Sequence, residues 1–77
     1  MVSAGQLRAA RAFVNWSQAN LAERAGLSVP TIKRMESAGP DNSTLANVKA
    51  VVAALEAAGC AFLADDGNGV GVRARAN

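Results

Sequence analysis

The stretch WSQANLAERAGLSVPTIKRMES at residues 16–37 decides the fold of this chain. Ser17 is a favourable N-cap because its hydroxyl can accept a backbone N–H from the next turn, so a helix begins at Ser17 or Gln18. Gly26 supplies the left-handed residue that ends such a helix after about two turns. The stretch therefore predicts a short helix followed by a tight turn.

A second helix begins just after this turn. Ser28 caps it, and Pro30 falls in the first turn, where the missing amide hydrogen has no intrahelical partner to lose. Ile32 and Met35 form the buried stripe. The positions that remain exposed carry small polar groups, methyl groups and two cations: Ser28, Val29, Pro30, Thr31, Lys33, Arg34 and Ser37. This is the layout of a helix-turn-helix whose second helix enters the DNA major groove.

The same residues resemble a known family, the helix-turn-helix regulators of the phage-repressor type (Cro/repressor-like, or XRE family). Its usual pattern is a Ser-Gln helix start, Leu-Ala, an Ala-Gly turn, then Ser-x-x-Thr-Ile-x-Arg and an acidic residue. This chain matches at Ser17, Gln18, Leu21, Ala22, Ala25, Gly26, Ser28, Thr31, Ile32, Arg34 and Glu36. The resemblance implies a DNA-binding transcriptional regulator whose recognition helix is residues 28–37.

The resemblance also implies a role for individual side chains. Gln18 would bind a DNA phosphate, and Arg11 would form an ion pair with Glu36 that ties the first helix to the recognition helix. Base edges would be approached by Val29, Pro30, Lys33 and Arg34. Arg34 is the best candidate for sequence recognition because a guanidinium can donate two hydrogen bonds to guanine.

Phosphate contacts are also expected on the recognition helix. Ser28 and Thr31 are better suited to phosphate oxygens than to bases, whereas Val29 and Pro30 can offer only apolar contact, most naturally to a thymine methyl group. Lys33 could contact either a phosphate or a base. The sequence leaves these two roles of Lys33 open.

The flanking segments predict two further helices. Ser3 and Gln6 have capping-box spacing, which predicts a helix over residues 4–14 with a buried stripe of Leu7, Ala10, Phe13 and Val14. Asn15 suits the left-handed turn that must follow, although the resembling family usually has Gly there. After Gly39 and Pro40, a polar loop ending in Ser43 as N-cap predicts a helix over residues 44–58, with the apolar face Leu45, Val48, Val51, Val52 and Leu55.

The apolar period changes to two after Gly59. Residues 60–64 and 70–75 predict two strands joined by the turn-forming run Asp65-Asp66-Gly67-Asn68-Gly69. A lone hairpin is marginal in water, so we expect the hairpin to form a shared sheet in a homodimer. The expected dimer interface is Val52, Leu55, Cys60, Phe62, Leu63, Val70 and Val72.

The predicted fold class follows from these segments. It is a mainly α fold, in which a four-helix repressor-like helix-turn-helix domain (residues 1–58, motif 17–37) precedes a β-hairpin used for dimerisation (residues 59–77). A chain of 77 residues is sufficient for one domain with a modest core. Chains of this length are commonly stabilised by association with a second copy.

Charge is distributed unevenly along the chain. The net charge is only +2. Residues 1–37 have net charge +3. Residues 38–66 have net charge −3, because that segment contains one Lys and four acidic residues. Arg73 and Arg75 add charge in the tail. The basic half contains the candidate recognition helix, as neutralisation of DNA phosphates requires.

Composition excludes several function classes. The chain has no His and a single Cys, Cys60, so a zinc-type metal site and an internal disulfide lack ligands, and we expect Cys60 to be a buried small hydrophobe. No set of acid, base and nucleophile can be assembled, so we expect neither an enzyme nor a cofactor. No apolar run is long enough to span a bilayer and no signal-peptide pattern is present, so we expect a cytoplasmic protein.

Two function classes remain. The leading hypothesis is a dimeric repressor that binds inverted-repeat operators in double-stranded DNA, with activation through RNA polymerase or contact with another regulatory protein left open. The alternative is an antitoxin or antiactivator that sequesters a protein through its hairpin. The cations Lys33 and Arg34 on the recognition face favour DNA, because a purely protein-sequestering module would not need them.

Overall fold

The computed structural model describes residues 2–74. Four helices are followed by a hairpin: α1 Ala4–Phe13, α2 Gln18–Ala25, α3 Val29–Ala38, a 3₁₀ turn at Pro40–Asn42, α4 Leu45–Ala57, β1 Cys60–Leu63 and β2 Gly71–Ala74. The predicted mainly helical architecture with a C-terminal antiparallel hairpin is confirmed. Arg75, placed in the second strand by the sequence, lies outside the described residues.

A hydroxyl side chain caps the N-terminus of every α-helix. Ser3, Ser17, Ser28 and Thr44 each accept the backbone N–H of the residue three positions later. The predicted caps of the first three helices are confirmed, but the cap of α4 is Thr44 and not Ser43. Thr44 has extended backbone with ψ 153°, so it stands just outside the helix that the sequence began at this residue.

The core lies where the four helices meet the start of β1. Its largest fully buried side chains are Leu7, Leu21, Ile32, Met35, Val51, Leu55 and Cys60. Burying each larger aliphatic side chain contributes about 1.5–3 kcal/mol relative to leaving it exposed. The prediction that Cys60 is a buried hydrophobe is confirmed.

One predicted core position, Phe13, is wrong, and Leu45 of the predicted apolar face of α4 is also exposed. Phe13 is 53% exposed and Leu45 is 60% exposed. Phe13 is the last residue of α1, immediately before the chain reverses through the left-handed Asn15 at φ 58°. Leu45 is the first residue of α4. Both have the correct helical phase, but they lie at helix ends, beyond the region where the helices pack together.

The hairpin is fastened to α1 by a buried amide. Gln6 is only 5% exposed, and its Nε2 donates to the carbonyl oxygens of Leu63 at 3.1 Å and Gly71 at 2.8 Å. Its Oε1 accepts the N–H of Ser3 at 2.8 Å, completing the predicted capping box. Phe62 and Val72, which pair across the strands, also pack against the core. The orientation of the hairpin is therefore fixed by the helical domain.

Gly5 gives a stability prediction. It is exposed in the first turn of α1, and an added Cβ would lie 3.7 Å from Arg8 Nη2 and 3.8 Å from Ser3 Oγ, which is ordinary contact. Gly5→Ala should therefore stabilise the protein by about 0.4–1 kcal/mol, because the unfolded chain loses conformational freedom. Thermal and urea unfolding would measure this, with Gly26→Ala as the control. Gly26 has φ 71°, a left-handed conformation that Ala adopts only with strain, so Gly26→Ala should destabilise the protein. If Gly5→Ala also lowered the stability, the prediction would be contradicted.

Candidate nucleic-acid interface

The turn between α2 and α3 is set by local hydrogen bonds. Ser17 and Asn20 form a reciprocal capping box, in which Ser17 Oγ accepts from Asn20 N at 3.0 Å and Asn20 Oδ1 accepts from Ser17 N at 3.1 Å. Gly26 ends α2 in the left-handed conformation predicted from the sequence. The N–H of Leu27 then donates to the carbonyl of Ala22 at 2.9 Å, which closes the turn.

One face of α3 is buried. Ile32 and Met35 are each 1% exposed, and Glu36 is 4% exposed. These side chains hold the helix against the other helices, with α1 and α2 both in contact with it. The direction in which the opposite face of α3 points is therefore already fixed in the free chain.

The opposite face of α3 forms a continuous exposed stripe. Pro30, Lys33, Arg34 and Ser37 are all exposed, and they recur at the helical spacing that places side chains on one face. Within residues 2–74 the only ion pair joins Arg11 to Glu36, so the charges of Lys33 and Arg34 are not neutralised within the described fold. The stripe can therefore present both cations to an anionic partner.

The remaining predicted contact residues of α3 lie beside this stripe. Val29 is half-buried and packs partly against the core, so only part of its side chain can reach a base. Ser28 Oγ accepts the N–H of Thr31 at 3.3 Å, and the two hydroxyl oxygens are 2.8 Å apart. Ser28 Oγ thus caps α3 and is hydrogen-bonded to the Thr31 hydroxyl, and each hydroxyl retains capacity for a further hydrogen bond.

Glu36 is the centre of a hydrogen-bond network beneath the stripe. Arg11 donates from Nε to Oε2 at 2.8 Å and from Nη2 to Oε1 at 3.0 Å, and its Nη1 donates to the carbonyl of Trp16 at 3.0 Å. Hydrogen bonding to Glu36 raises the pKa of Arg11 above its ordinary value. The structure thus brings together the two residues that the resemblance paired, and one guanidinium links α1, the start of α2 and α3.

Two further contacts of this network are not predicted from the sequence. Gln18 Nε2 donates to Glu36 Oε1 at 3.1 Å, and Arg8 Nη1 donates to the backbone carbonyl of Glu36. Gln18 stays the predicted phosphate ligand, and in the free chain its side-chain amide also bonds Glu36 on α3. Nothing in the spacing of residues so far apart in sequence indicates these contacts, because they depend on how the helices cross.

The side chain of Arg24 lies against an aromatic ring within the fold. Its guanidinium carbon lies 5.0 Å from the centre of the Trp16 ring, a cation–π arrangement on the side of α2. The pair lines a small groove with Ala54, Ala57 and Ala58 of the α4 end. Among the cations of the helix-turn-helix, this leaves Lys33 and Arg34 as those displayed on the exposed stripe of α3.

The expected dimer-interface residues have very different exposure. Val52, Phe62, Leu63 and Val72 are half-buried, and Val70 is 51% exposed. Leu55 and Cys60 are 0% and 1% exposed within one chain, so neither has surface left for a partner. The expectation is corrected for these two residues, which belong to the core because the helical and strand periods both place them inward.

The hairpin loop is organised by Asp65. Its Oδ1 accepts the backbone N–H groups of Gly67 and Gly69, both at 2.9 Å, and these bonds lower the pKa of Asp65. Asp65 should therefore titrate below the ordinary Asp value of about 3.9. The loop bonds should be present above that ordinary value and be lost as the pH falls through the lower, folded-state pKa.

An NMR titration of the Asp65 carboxyl carbon, followed together with the amide protons of Gly67 and Gly69, would test this. The three signals should share one midpoint below about pH 3.9. In the Asp65→Ala variant the two glycine amides should show no such midpoint. A midpoint at or above the ordinary value would contradict the assigned hydrogen bonds.

Among residues 2–74 no three His, Cys, Asp or Glu side chains are grouped in a way that could hold a metal ion. Over the same range, the helices are too short or too polar for any of them to cross a membrane.

Four packed helices, a capped two-helix motif and a cation-bearing exposed helix face define a helix-turn-helix DNA-binding domain. The helix-turn-helix family model matches residues 7–57, which is most of the chain. The chain belongs to this family and is a Cro/repressor-like, XRE-type DNA-binding transcriptional regulator. A comparison with curated proteins gave no significant match.

Proposed function

We propose that this protein is a dimeric repressor that recognises an inverted-repeat operator by inserting α3 into the major groove. The observation that carries the proposal is the exposed stripe Pro30, Lys33, Arg34 and Ser37 on a helix whose other face is buried. A major groove about 12 Å wide admits one α-helix, and a rigidly held helix enters it without further ordering. Such a regulator acts in the cytoplasm on nucleoid DNA.

Base recognition in this proposal centres on Arg34. Its exposed guanidinium can donate two hydrogen bonds to O6 and N7 of a guanine. Pro30 and the exposed part of Val29 supply apolar contact to a thymine methyl group. Lys33, one position before Arg34, contacts either a neighbouring base or a phosphate, and its long flexible stem suits both.

Phosphate contacts fix the domain on the duplex. Gln18 is the first residue of α2, where the backbone N–H groups of the first turn have no intrahelical acceptor. Its Nε2 carries two hydrogens, and one is used by Glu36, so the other can donate to a phosphate oxygen. Ser28 and Thr31 supply hydroxyls at the corresponding end of α3.

Dimerisation follows from the limited contact of a single domain. One recognition helix contacts only a few base pairs, whereas a two-fold dimer on half-sites about one helical turn apart doubles the contacts. Occupation of a promoter-overlapping operator by such a dimer excludes polymerase, which is the simplest route to repression. The C-terminal segment, residues 59–77, which contains the hairpin β1–β2, is the proposed dimerisation element.

A binding titration tests the proposal. Purified protein would be titrated against DNA from upstream of its own gene and against a scrambled duplex, each at two salt concentrations. We expect tighter binding to the upstream DNA, two chains per operator, and a weaker, strongly salt-dependent affinity for the scrambled duplex. A repressor further predicts that the bound protein lowers transcription from that promoter in vitro.

The alternative outcomes are distinct. Equal binding to both duplexes would remove the claim that its own promoter is the operator, and selection from a random duplex library would then be required to yield an inverted repeat. Absence of binding to any duplex at low salt would contradict the proposal and favour a protein-sequestering role.

A further inference from the structure

We propose that Asn68 is a site of covalent modification, where the backbone nitrogen of Gly69 displaces the side-chain amide, and that Asp65 restrains this reaction in the folded chain. The inference does not depend on the proposed function, because it concerns the loop between β1 and β2 and needs neither DNA nor a second copy. It is carried by the residue order in this loop and by the hydrogen bonds that hold it.

Asn68 is the one asparagine of the chain that precedes a glycine. Gly69 has no side chain to obstruct its own nitrogen, and its φ of 95° shows how far its backbone departs from what other residues adopt. The asparagines that precede a residue with a side chain are Asn15, Asn20, Asn42 and Asn47. Attack by the following backbone nitrogen is therefore least hindered at Asn68.

The side chain of Asn68 is also free to rotate. It is exposed, and within residues 2–74 its side-chain amide makes no hydrogen bond. Only its backbone N–H is bound, at 3.1 Å from Oδ1 of Asp66. Rotation of the side chain can therefore bring Cγ of Asn68 toward the nitrogen of Gly69, with water present on the exposed side.

The reaction needs no reagent other than water. The nitrogen of Gly69 forms a bond to Cγ of Asn68, the bond from Cγ to the side-chain nitrogen breaks, and ammonia leaves with the proton that the Gly69 nitrogen gives up. The product is a five-membered cyclic imide. Water then adds to one of its two carbonyl groups, and the ring opens to aspartate or to isoaspartate at this position.

Asp65 opposes the first of these steps. Its Oδ1 accepts the N–H of Gly69 at 2.9 Å, so the proton that must leave lies in a hydrogen bond to a carboxylate. Such charge-assisted bonds are stronger than neutral ones. The bond holds the peptide group of Gly69 in place, and the negative charge disfavours the loss of a proton from the neighbouring nitrogen.

The same carboxylate could instead act as a base that accelerates the reaction. The hydrogen bonds from Gly67 and Gly69 lower the pKa of Asp65 below its ordinary value, which makes the carboxylate a weaker base. A general base is effective when its pKa lies near the working pH, and Asp65 lies far below neutrality. Restraint of the N–H is therefore the larger effect.

The modification changes the loop in two ways. Either product adds a negative charge beside Asp65 and Asp66. Isoaspartate also inserts one methylene group into the main chain, between two positions whose N–H groups are hydrogen-bonded within the loop. Since the loss of ammonia is not reversed by water, the modified fraction should increase with the age of the chain.

The experiment follows the full chain during incubation at constant temperature and neutral pH. Trypsin releases residues 50–73 as one peptide, in which Asn68 is the only side-chain amide. Mass spectrometry of this peptide measures the loss of the amide, and enzymatic methylation of isoaspartate identifies the product. In Asp65→Ala the loss should be about three- to tenfold faster than in the wild type, the change expected for one lost hydrogen bond.

The matched control is Asp66→Ala. It removes the same charge from the same loop, but the bond that it loses belongs to the N–H of Asn68 and not to that of Gly69. Its rate should therefore rise much less than that of Asp65→Ala. Asn68→Gln should keep its amide, because the longer side chain would have to close a six-membered ring, which forms more slowly. Circular dichroism would establish that each variant is folded.

Each remaining outcome overturns part of the inference. If urea-unfolded wild type and folded Asp65→Ala both keep the amide of Asn68, this residue is not a modification site. If Asp65→Ala and Asp66→Ala lose the amide equally fast, the bond to Gly69 does not restrain the reaction. Slower loss in Asp65→Ala than in the wild type would show that Asp65 acts as a base, which contradicts the assigned role. None of these outcomes bears on DNA binding by α3.

Discussion

Arg11→Met is expected to lower the free energy of unfolding by roughly 2–4 kcal/mol, somewhat less than the cost of breaking a fully buried ion pair, because Arg11 is 24% exposed and water offsets part of the cost. The charge left behind belongs to Glu36, which is only 4% exposed and would retain Gln18 as its remaining side-chain donor. The same substitution removes the donor to the carbonyl of Trp16. A chain of 77 residues has little stability in reserve, so the effect should be plain in a urea titration.

A second substitution distinguishes a stranded charge from lost packing. The double variant Arg11→Met/Glu36→Leu leaves no unpaired charge and should recover most of the loss, because well-packed apolar groups often replace buried ion pairs at little cost. The surface control Lys49→Met should change stability by less than about 0.5 kcal/mol. If Arg11→Met lowered the free energy of unfolding by less than about 1 kcal/mol, water would be solvating Glu36. The network would then contribute little to holding the helices together.

Arg34→Ala is expected to remove sequence preference without unfolding the domain. Arg34 is exposed on α3 and forms no ion pair in the described fold, so stability should change little. Each bidentate contact to guanine contributes about 1–3 kcal/mol of discrimination, and a two-fold operator contains two of them. The expected loss in operator affinity is therefore about 2–6 kcal/mol, with most of the salt-dependent affinity for scrambled DNA retained.

A double-mutant cycle assigns the contact to a particular base. Replacing the recognised guanine by 7-deazaguanine removes the N7 acceptor but preserves Watson–Crick pairing. This change should weaken wild-type binding and have little further effect on the Arg34→Ala variant. Lys49→Ala, which also removes one positive charge, should leave operator preference intact. Additive effects of the two changes would exclude Arg34 as the residue that contacts this base.

The helix-turn-helix could be predicted from sequence because its determinants are local. Ser17 and Ser28 cap the two helices, and Gly26 supplies the left-handed residue, all within one continuous stretch. The phase of Ile32 and Met35 then decides which face of α3 is exposed. None of these features depends on knowing how distant segments pack.

The features that were missed or misjudged depend on tertiary packing. Phe13 and Leu45 have the phase of core residues, but their place at helix ends leaves them exposed. Gln6 could be predicted as a capping residue, whereas its bonds to Leu63 and Gly71 link residues far apart in sequence. The donors to Glu36 from Gln18 and Arg8 likewise arise from the crossing of helices.

The sequence alone does not separate an expected dimer interface from the core of a single chain. An alternating apolar pattern identifies a strand face but does not state whether that face meets the chain's own core or a partner. The prediction assigns Leu55 and Cys60 to a partner, but both are buried in the core, whereas Val70 is 51% exposed. Exposure, which is a property of the folded chain, separates the two cases.

The central claim is that the exposed face of α3 contacts DNA. NMR spectroscopy of isotopically labelled protein, titrated with its operator duplex, tests this most directly. The account predicts that the largest changes fall on the amides of Thr31, Lys33, Arg34 and Ser37, with a further change at the side-chain amide of Gln18. Changes confined to the hairpin or to α4, with α3 unaffected at saturating operator, would contradict it.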